Sequence, residues 1–442
     1  MPSKRVVITG TGWVTPLGSD IDSVWARLLK GESGIGPVTH FDASTCATNF
    51  ASEVKGFKLS QFLDDVAPHE MASIGTHYAL GAAAQAWKQS GLAKTKLERR
   101  RFGIYLGSGE GQLDYDNFLA SNLSGWKADT RTVDGGAWAK HALATMSAVR
   151  EIEQEPNLAM SHVAAEFGCR GPAFNCMTAC AASTQAIGEA FEIIRHGDAD
   201  VMFAGGSHSM VHLLGMTGFI RLTAMSQRRD TPQSAARPFD QTRDGFVMGE
   251  GAGMIILESL EHAKKRGATI IAELAGYGST ADAFRITDIQ PDGRGAAGAM
   301  AQALKQAGVS PREVGPNGRP PVQYISAHGT GTKENDKIET AAVKALFGPL
   351  APKIPFSSVK SMLGHLIQAA GAVELITCIK AIETGIVPPT MNLKNPDPVC
   401  DLDYVPNAAR DLNAEGGVDL CLSNSFGFGG QNDTVAVRKF RE

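Results

Sequence analysis

The sequence has no apolar run approaching the roughly 18 residues of a membrane-spanning helix, so no span is expected. It also has no excess of one charge. Its 42 Lys and Arg stand against 46 Asp and Glu, a net charge of −4, with both signs mixed along the chain. No basic run or tail offers a track for nucleic acid. A weakly acidic total still leaves room for a local basic patch facing an acidic partner. No CxxC pair and no His/Cys cluster has zinc spacing, so no metal is expected. The seven cysteines are scattered, and an odd number in 442 residues argues against a disulfide framework. The opening MPSKRVVITG lacks the apolar core of a secretory signal. The string GSGEG at 107–111 lacks the Lys-Ser/Thr of a phosphate loop, which rejects nucleotide binding. These absences point to a soluble, reduced, cytoplasmic protein.

What is present is globular. Hydrophobic residues make up 43% and charged residues 20% of the chain, ample for a sizeable core. Short apolar runs predict buried strands at 5–9, 102–106, 173–176, 200–204, 252–257, 270–275, 322–326, 354–359, 419–423 and 434–437. Amphipathic spacing predicts helices between them, at 183–195, 296–307, 336–347 and 365–384. Strands alternating with helices indicate an α/β protein with internal sheets. Residues 111–157 differ, being polar and without a strand period, and are expected to form an elaborated loop with some helix.

Several strings recur in the same order. VITGTG (7–12) is echoed by ELAGYG (273–278), and YLGSG (105–109) by ISAHGTG (325–331). AFNCMTAC (173–180) falls where PFSSVKSMLGH (355–365) falls later, and GAGMIILE (251–258) matches NDTVAVRK (432–439). This order suggests two related halves meeting near residue 265, divided as 1–265 and 266–442.

Cys180 follows a predicted strand and precedes a predicted helix, flanked by Ala179, Ala181 and Ala182. Small neighbours suit a sharp strand-to-helix turn. Such a turn exposes the residue at a helix N-terminus, where free N–H groups and the dipole favour a thiolate. The logic is that of a nucleophile elbow. Cys169, Cys176, Cys378 and Cys421 lack that context and are expected to be structural. Of the eleven histidines, two stand at strand ends on Gly-containing turns: His328 after VQYISA, and His365 after SSVKSMLG, where it is expected to open a helix. Side chains converge at such ends, and imidazole can donate or accept near neutral pH.

Glu374 lies on an otherwise apolar helix face, so it needs a partner, and Lys360 is the candidate. Thr330, Thr332, Asp336 and Glu339 follow His328, with Asp336 expected as a helix N-cap and Glu339 completing a capping box. The glycine-rich NSFGFGGQN (424–432) suits a loop over a pocket, with backbone N–H groups able to bind an oxyanion.

Together these motifs resemble the elongating type II β-ketoacyl-(acyl carrier protein) synthases and the related polyketide ketosynthases. VVITGTGWVTPLG, TACAAST, ADVMFAGG, RPFDQTRDGFVMGEGAGMIILE, AHGTGTKENDKIE, SVKSMLGHLIQAAGAVE and SNSFGFGGQN carry the resemblance over nearly the whole chain. It implies a thiolase-type αβαβα layered fold of two related halves, each with a five-stranded mixed sheet. It implies a homodimer, acyl carrier protein as partner, and no metal or redox cofactor. Cys180 becomes the acyl-accepting nucleophile and His328 and His365 the decarboxylation pair. Lys360, Glu374, Thr330 and Thr332 become supporting residues. Phe428 becomes a gating aromatic whose N–H completes an oxyanion hole with that of Cys180.

Departures from the family fall in 111–157, in Lys333, Glu334 and Asn335 after HGTGT, and in Arg285. Arg221 is a candidate for carrier docking. A thiolase reading lacks the second cysteine near 425–432, and a non-catalytic chain-length subunit would lack Cys180. A ketosynthase of a polyketide or specialised lipid pathway keeps the same chemistry and stays open.

Overall fold

The computed structural model describes residues 3–109, 114–286, 288–315 and 318–442. Ten strands form its main sheet. In chain order they are β1 (Val6–Val14), β2 (Phe102–Gly107), β3 (Ala173–Cys176), β4 (Val201–His208), β5 (Gly251–Ser259), β6 (Ala272–Ala281), β7 (Tyr324–Ser326), β8 (Phe356–Ser357), β9 (Leu420–Gly427) and β10 (Gln431–Arg438). Each overlaps one strand expected from the sequence.

Their spatial order is β8-β7-β9-β10-β6-β1-β5-β4-β2-β3. Read from the centre outwards, the two sides match. β1 and β5 pair antiparallel, as do β5 and β4, whereas β2 lies parallel to both β4 and β3. On the other side β6–β10 and β10–β9 are antiparallel, whereas β7 is parallel to both β9 and β8. The fold is thus two five-stranded mixed sheets, joined where β1 meets β6 over Val6–Ile8 and Ala272–Leu274.

Six helices complete the layers: α1 (Ile74–Ser90), α2 (Leu158–Phe167), α3 (Ala182–His196), α4 (Arg294–Gln306), α5 (Lys333–Phe347) and α6 (Ala370–Thr384). α1 and α2 cover the outside of the first sheet. α4 covers the second, with α5 against it. α3 and α6 lie inside and touch strands of both sheets. The order is αβαβα.

The repeated glycines have a packing cause. A Cβ on Gly10 or Gly12 would sit 2.1 Å from a carbonyl oxygen of α1, that of Ala86 or Ala82. A Cβ on Gly276 or Gly278 would sit 2.1 or 2.0 Å from the Ala303 or Ala299 oxygen of α4. In each half, GxG lets the outer helix lie directly on its strand.

Three expectations need correction. Residues 111–157, of which 111–113 lie outside the described residues, are mainly helical: Tyr115–Gly125, Gly135–Thr145 and Ala148–Ile152, plus a hairpin of Trp126–Lys127 with Thr132–Val133. Asp134 and Ser147 side chains cap the second and third helices, which lets a polar stretch stay helical. Asp336 is not an N-cap, because α5 starts earlier with Thr332 as its cap. His365 does not open a helix. It sits in a β-bridge with Met248, followed by the turn Ile367–Ala369 and then α6.

Candidate active site

Cys180 lies in the turn Ala179–Ala181, directly before α3. Ala179 takes φ 47, in the left-handed region that is uncommon for any residue with a Cβ. Gly107 lies so close behind that a Cβ there would meet the Ala182 carbonyl carbon at 2.4 Å. The N-terminal turns of the two inner helices press together, with Ser183 Oγ accepting from Ala372 N–H at 3.0 Å. Gly371 must be glycine, since a Cβ would reach Thr184 Oγ1 at 1.9 Å. This contact places the turn that carries Cys180 against the turn that follows His365.

His365 is held by its backbone. Its N–H donates to Val247 O at 2.7 Å, and its carbonyl accepts from Gly249 N–H at 2.9 Å. Its Nδ1 accepts from Ile367 N–H at 3.3 Å. The proton of the neutral ring then sits on Nε2, which points at Cys180 Sγ from 3.0 Å. His328 stands edge-on to His365, ring centres 5.4 Å apart. Donor atoms of Cys180, His328 and His365 all lie within 4.8 Å of one another, and all three side chains are buried. Burial, reinforced by the nearby Lys360 charge, holds both imidazoliums well below the usual histidine range. Both rings are neutral at pH 7 and can act as N–H donors.

The cysteine differs from expectation. Burial pushes its thiol up to about 12, against the opposing pull of Lys360 and of the Cys180 and Phe428 backbone N–H groups. Loss of water outweighs the helix terminus, so the resting group is a thiol. The Cys180 and Phe428 backbone N–H groups both favour negative charge at this point.

Lys360 and Glu374 form a buried ion pair, only 3% and 2% exposed. Burial raises the Glu374 carboxyl to about 7 despite the ammonium beside it. Glu339 does not cap a helix. It accepts from His328 N–H and Gly329 N–H, both at 2.9 Å, and so fixes the loop that presents His328. Asp336 accepts from Gly331 N–H at 3.1 Å and Phe239 N–H at 2.8 Å. Thr330 and Thr332 share a hydroxyl hydrogen bond at 3.0 Å on the same loop. Phe428 is 38% exposed and, with Thr332, lines an open cleft of about 730 Å³. Lys333, Glu334, Asn335 and Arg285 line the same cleft, and exposed Arg221 stands two residues before its rim residue Thr223.

Sequence reasoning missed Arg243, Phe246 and Phe426. Buried Arg243 pairs with Asp397 at 2.7 Å and donates to the Thr332 and Lys333 carbonyls, tying down the start of α5. Phe246 and Phe426 set their rings against His365 and His328. All three lie inside the quoted motifs RDGFVMGEG and SNSFGFGG, and their long-range partners give no local signal.

A five-layered α/β fold with a buried Cys–His–His cluster where its halves meet defines a condensing enzyme of thiolase type. Residues 3–263 match the family described as Beta-ketoacyl synthase, N-terminal domain, and residues 271–394 its C-terminal domain. The chain is 42% identical to 3-oxoacyl-(acyl-carrier-protein) synthase 2 of Synechocystis sp., covering 100% of this chain and 99% of that one. It is 40% identical to the protein of that name from Coxiella burnetii, covering 99% of each. Solved structures give the same answer. A β-ketoacyl synthase from Burkholderia phymatum superposes with TM-score 0.85 at 32% identity, over 99% of this chain and 100% of the other. The ishigamide ketosynthase/chain length factor superposes with TM-score 0.84 at 35% identity, with the same coverage. A type II polyketide ketosynthase, solved in complex with its acyl-carrier protein, superposes with TM-score 0.83 at 33% identity, again with the same coverage. The chain belongs to the β-ketoacyl synthase family. It is an acyltransferase of the decarboxylating-condensation type, chemistry that needs neither metal nor redox cofactor.

Proposed function

We propose that this protein elongates acyl chains carried on acyl carrier protein, with Cys180 as nucleophile and His328 and His365 as the decarboxylation pair. The observation that carries the assignment is His365 Nε2 at 3.0 Å from Cys180 Sγ, with His328 in the same buried cluster.

The acyl carbonyl of the first carrier meets the Cys180 thiol. As the new C–S bond forms, the phosphopantetheine sulfur leaves and takes up a proton. One thioester replaces another, so the step costs little. Malonyl thioester follows through the cleft past Phe428, Thr330 and Thr332. Its C–C bond breaks to release carbon dioxide, and the electron pair passes to the thioester oxygen as an enolate. Neutral His328 and His365 donate to that oxygen, stabilisation of a kind worth about 3 kcal/mol per donor. The enolate carbon attacks the acyl-Cys180 carbonyl. The tetrahedral oxyanion falls to the Cys180 and Phe428 N–H groups, and collapse returns the sulfur. Lys360 and Glu374 hold the site's charge balance.

The relatives named above support fatty-acid elongation. The polyketide ketosynthases among the structural neighbours favour a second reading, the same reaction on a polyketide or specialised lipid chain. We further propose a homodimer. Leu123, Leu143, Ile152 and the edge-strand residue Phe174 are exposed apolar groups around 111–157. The division at residues 265/266, carrier docking at Arg221 and a cytoplasmic location belong to the same proposal. Among the described residues no helix is long and apolar enough to cross a membrane.

The test is carbon dioxide release from malonyl carrier by acyl-loaded protein. His328→Ala and His365→Ala should suppress it while Cys180 still takes up the acyl group. Undiminished release in both variants would remove the proposed pair.

A further inference from the structure

The inner helices begin alike. α3 follows the turn Ala179–Ala181, whose first residue has φ 47, and α6 follows Ile367–Ala369, whose first residue has φ 43. Both helices run 15 residues and end on a left-handed glycine, Gly197 or Gly385. Gln368 therefore stands in the second half where Cys180 stands in the first. Other positions follow. Ser108 comes just after β2 as His328 comes just after β7, and His208 closes β4 as Gly427 closes β9. Ser108, His208 and Gln368 line one small pocket of about 20 Å³. The fold thus builds a counterpart of its catalytic chamber.

The lining chemistry is polar. Ser73, Thr76, Ser207 and Ser209 add hydroxyls, Glu153 and Glu155 add carboxylates, and among the described residues the only apolar side chains are those of Ala159 and Pro156. His208 is 4% exposed. Its Nδ1 bonds Gln368 Oε1, so the ring carries its proton there and Nε2 keeps a lone pair. Burial holds the imidazolium down at about 3, which keeps the ring singly protonated. That Nε2 is buried and has no partner. A buried acceptor left unpaired is costly and calls for a donor.

We infer that the acyl group accepted by Cys180 carries a hydroxyl, which donates to His208 Nε2 in this pocket. The inference rests on the condensing-enzyme reading above. The turn that carries Gln368 packs on the turn that carries Cys180, and Ile367 shares the buried apolar cluster of Cys180. Gln368, the residue after Ile367, lines the pocket. The pocket has room for about one hydroxyl oxygen. A saturated chain leaves Nε2 unpaired, and sites built to bond a hydroxyl reject analogues that lack one for that reason.

The test presents the full-length protein with acyl carriers of several chain lengths, each saturated or bearing one hydroxyl at a defined carbon. Acyl-enzyme formation is timed by intact mass. One hydroxylated isomer should load at least about tenfold faster than its saturated parent. His208→Phe should abolish that preference. Ser207→Ala, a gentler change in the same wall, should reduce the preference. If no hydroxylated isomer outpaces its parent, the pocket holds solvent only and the inference is overturned, while the condensing-enzyme reading stands. If neither kind of carrier loads, the condensing-enzyme reading itself falls and takes the inference with it.

Discussion

In the first half the turn before the inner helix holds a cysteine, and in the second half it holds a glutamine. Backbone shape is shared: a strand end, a left-handed residue, a short turn, a helix start. Reactivity comes from what the opposite half supplies. Cys180 receives two imidazoles from the second half, whereas Gln368 receives Ser108 and His208 from the first. An elbow of this kind positions a side chain without making it a nucleophile. The difference between the two sites is one of chemistry on equal geometry.

The largest expected effect breaks that symmetry. Cys180→Ala should lower condensation at least about 10³-fold, whereas Gln368→Ala should change it less than about threefold with a saturated acyl group. Product formation from matched carriers decides it, and equal losses would erase the distinction. Next come the imidazoles. His328→Ala and His365→Ala should each slow carbon dioxide release about 10²–10³-fold, in line with the loss of one oxyanion donor. Ser108→Ala, at the matching place in the other half, should stay within a few-fold of wild type in the same assay.

The third contrast concerns stability. Lys360→Met leaves Glu374 buried without its cation and should cost about 3–5 kcal/mol. Adding Glu374→Leu should recover much of that loss, since replacing a whole buried pair is far milder than splitting it. Urea unfolding of the two variants measures the gap. The smallest effect is in pH. Because His328 and His365 bind their second proton well below the usual histidine range, both rings stay neutral as pH falls from about 7 to about 6. Carbon dioxide release should therefore show no histidine-like loss in that interval, falling only at lower pH. Alkylation of Cys180 should keep rising as pH climbs from about 7 to about 10, since burial holds the thiol up to about 12.

Much of this arrangement was legible in the residues. All ten strands overlap a short run expected to be a strand, and the echo of VITGTG in ELAGYG proved to be one packing device used twice. The Lys360–Glu374 pair followed from a carboxylate on an apolar helix face. What stayed hidden depends on the third dimension. Asp336 looks like a helix cap in sequence, but buried N–H groups of Phe239 and Gly331 claim it. The thiolate expected for Cys180 yields to burial, whose extent no local pattern reveals. His365 looked like a helix start because apolar residues continue after it, yet a bridge to Met248 holds it in extended chain. Gln368 lay inside a family motif and drew no notice, because its meaning comes from the other half.

The central claim is that Cys180, and no other group, takes the acyl chain within reach of both imidazoles. Intact mass followed by peptide mapping after exposure to an acyl carrier tests it most directly. The account predicts one acyl adduct on the peptide containing Cys180, absent from a folded Cys180→Ala variant. An adduct that persists in that variant, or maps to another residue, would contradict it.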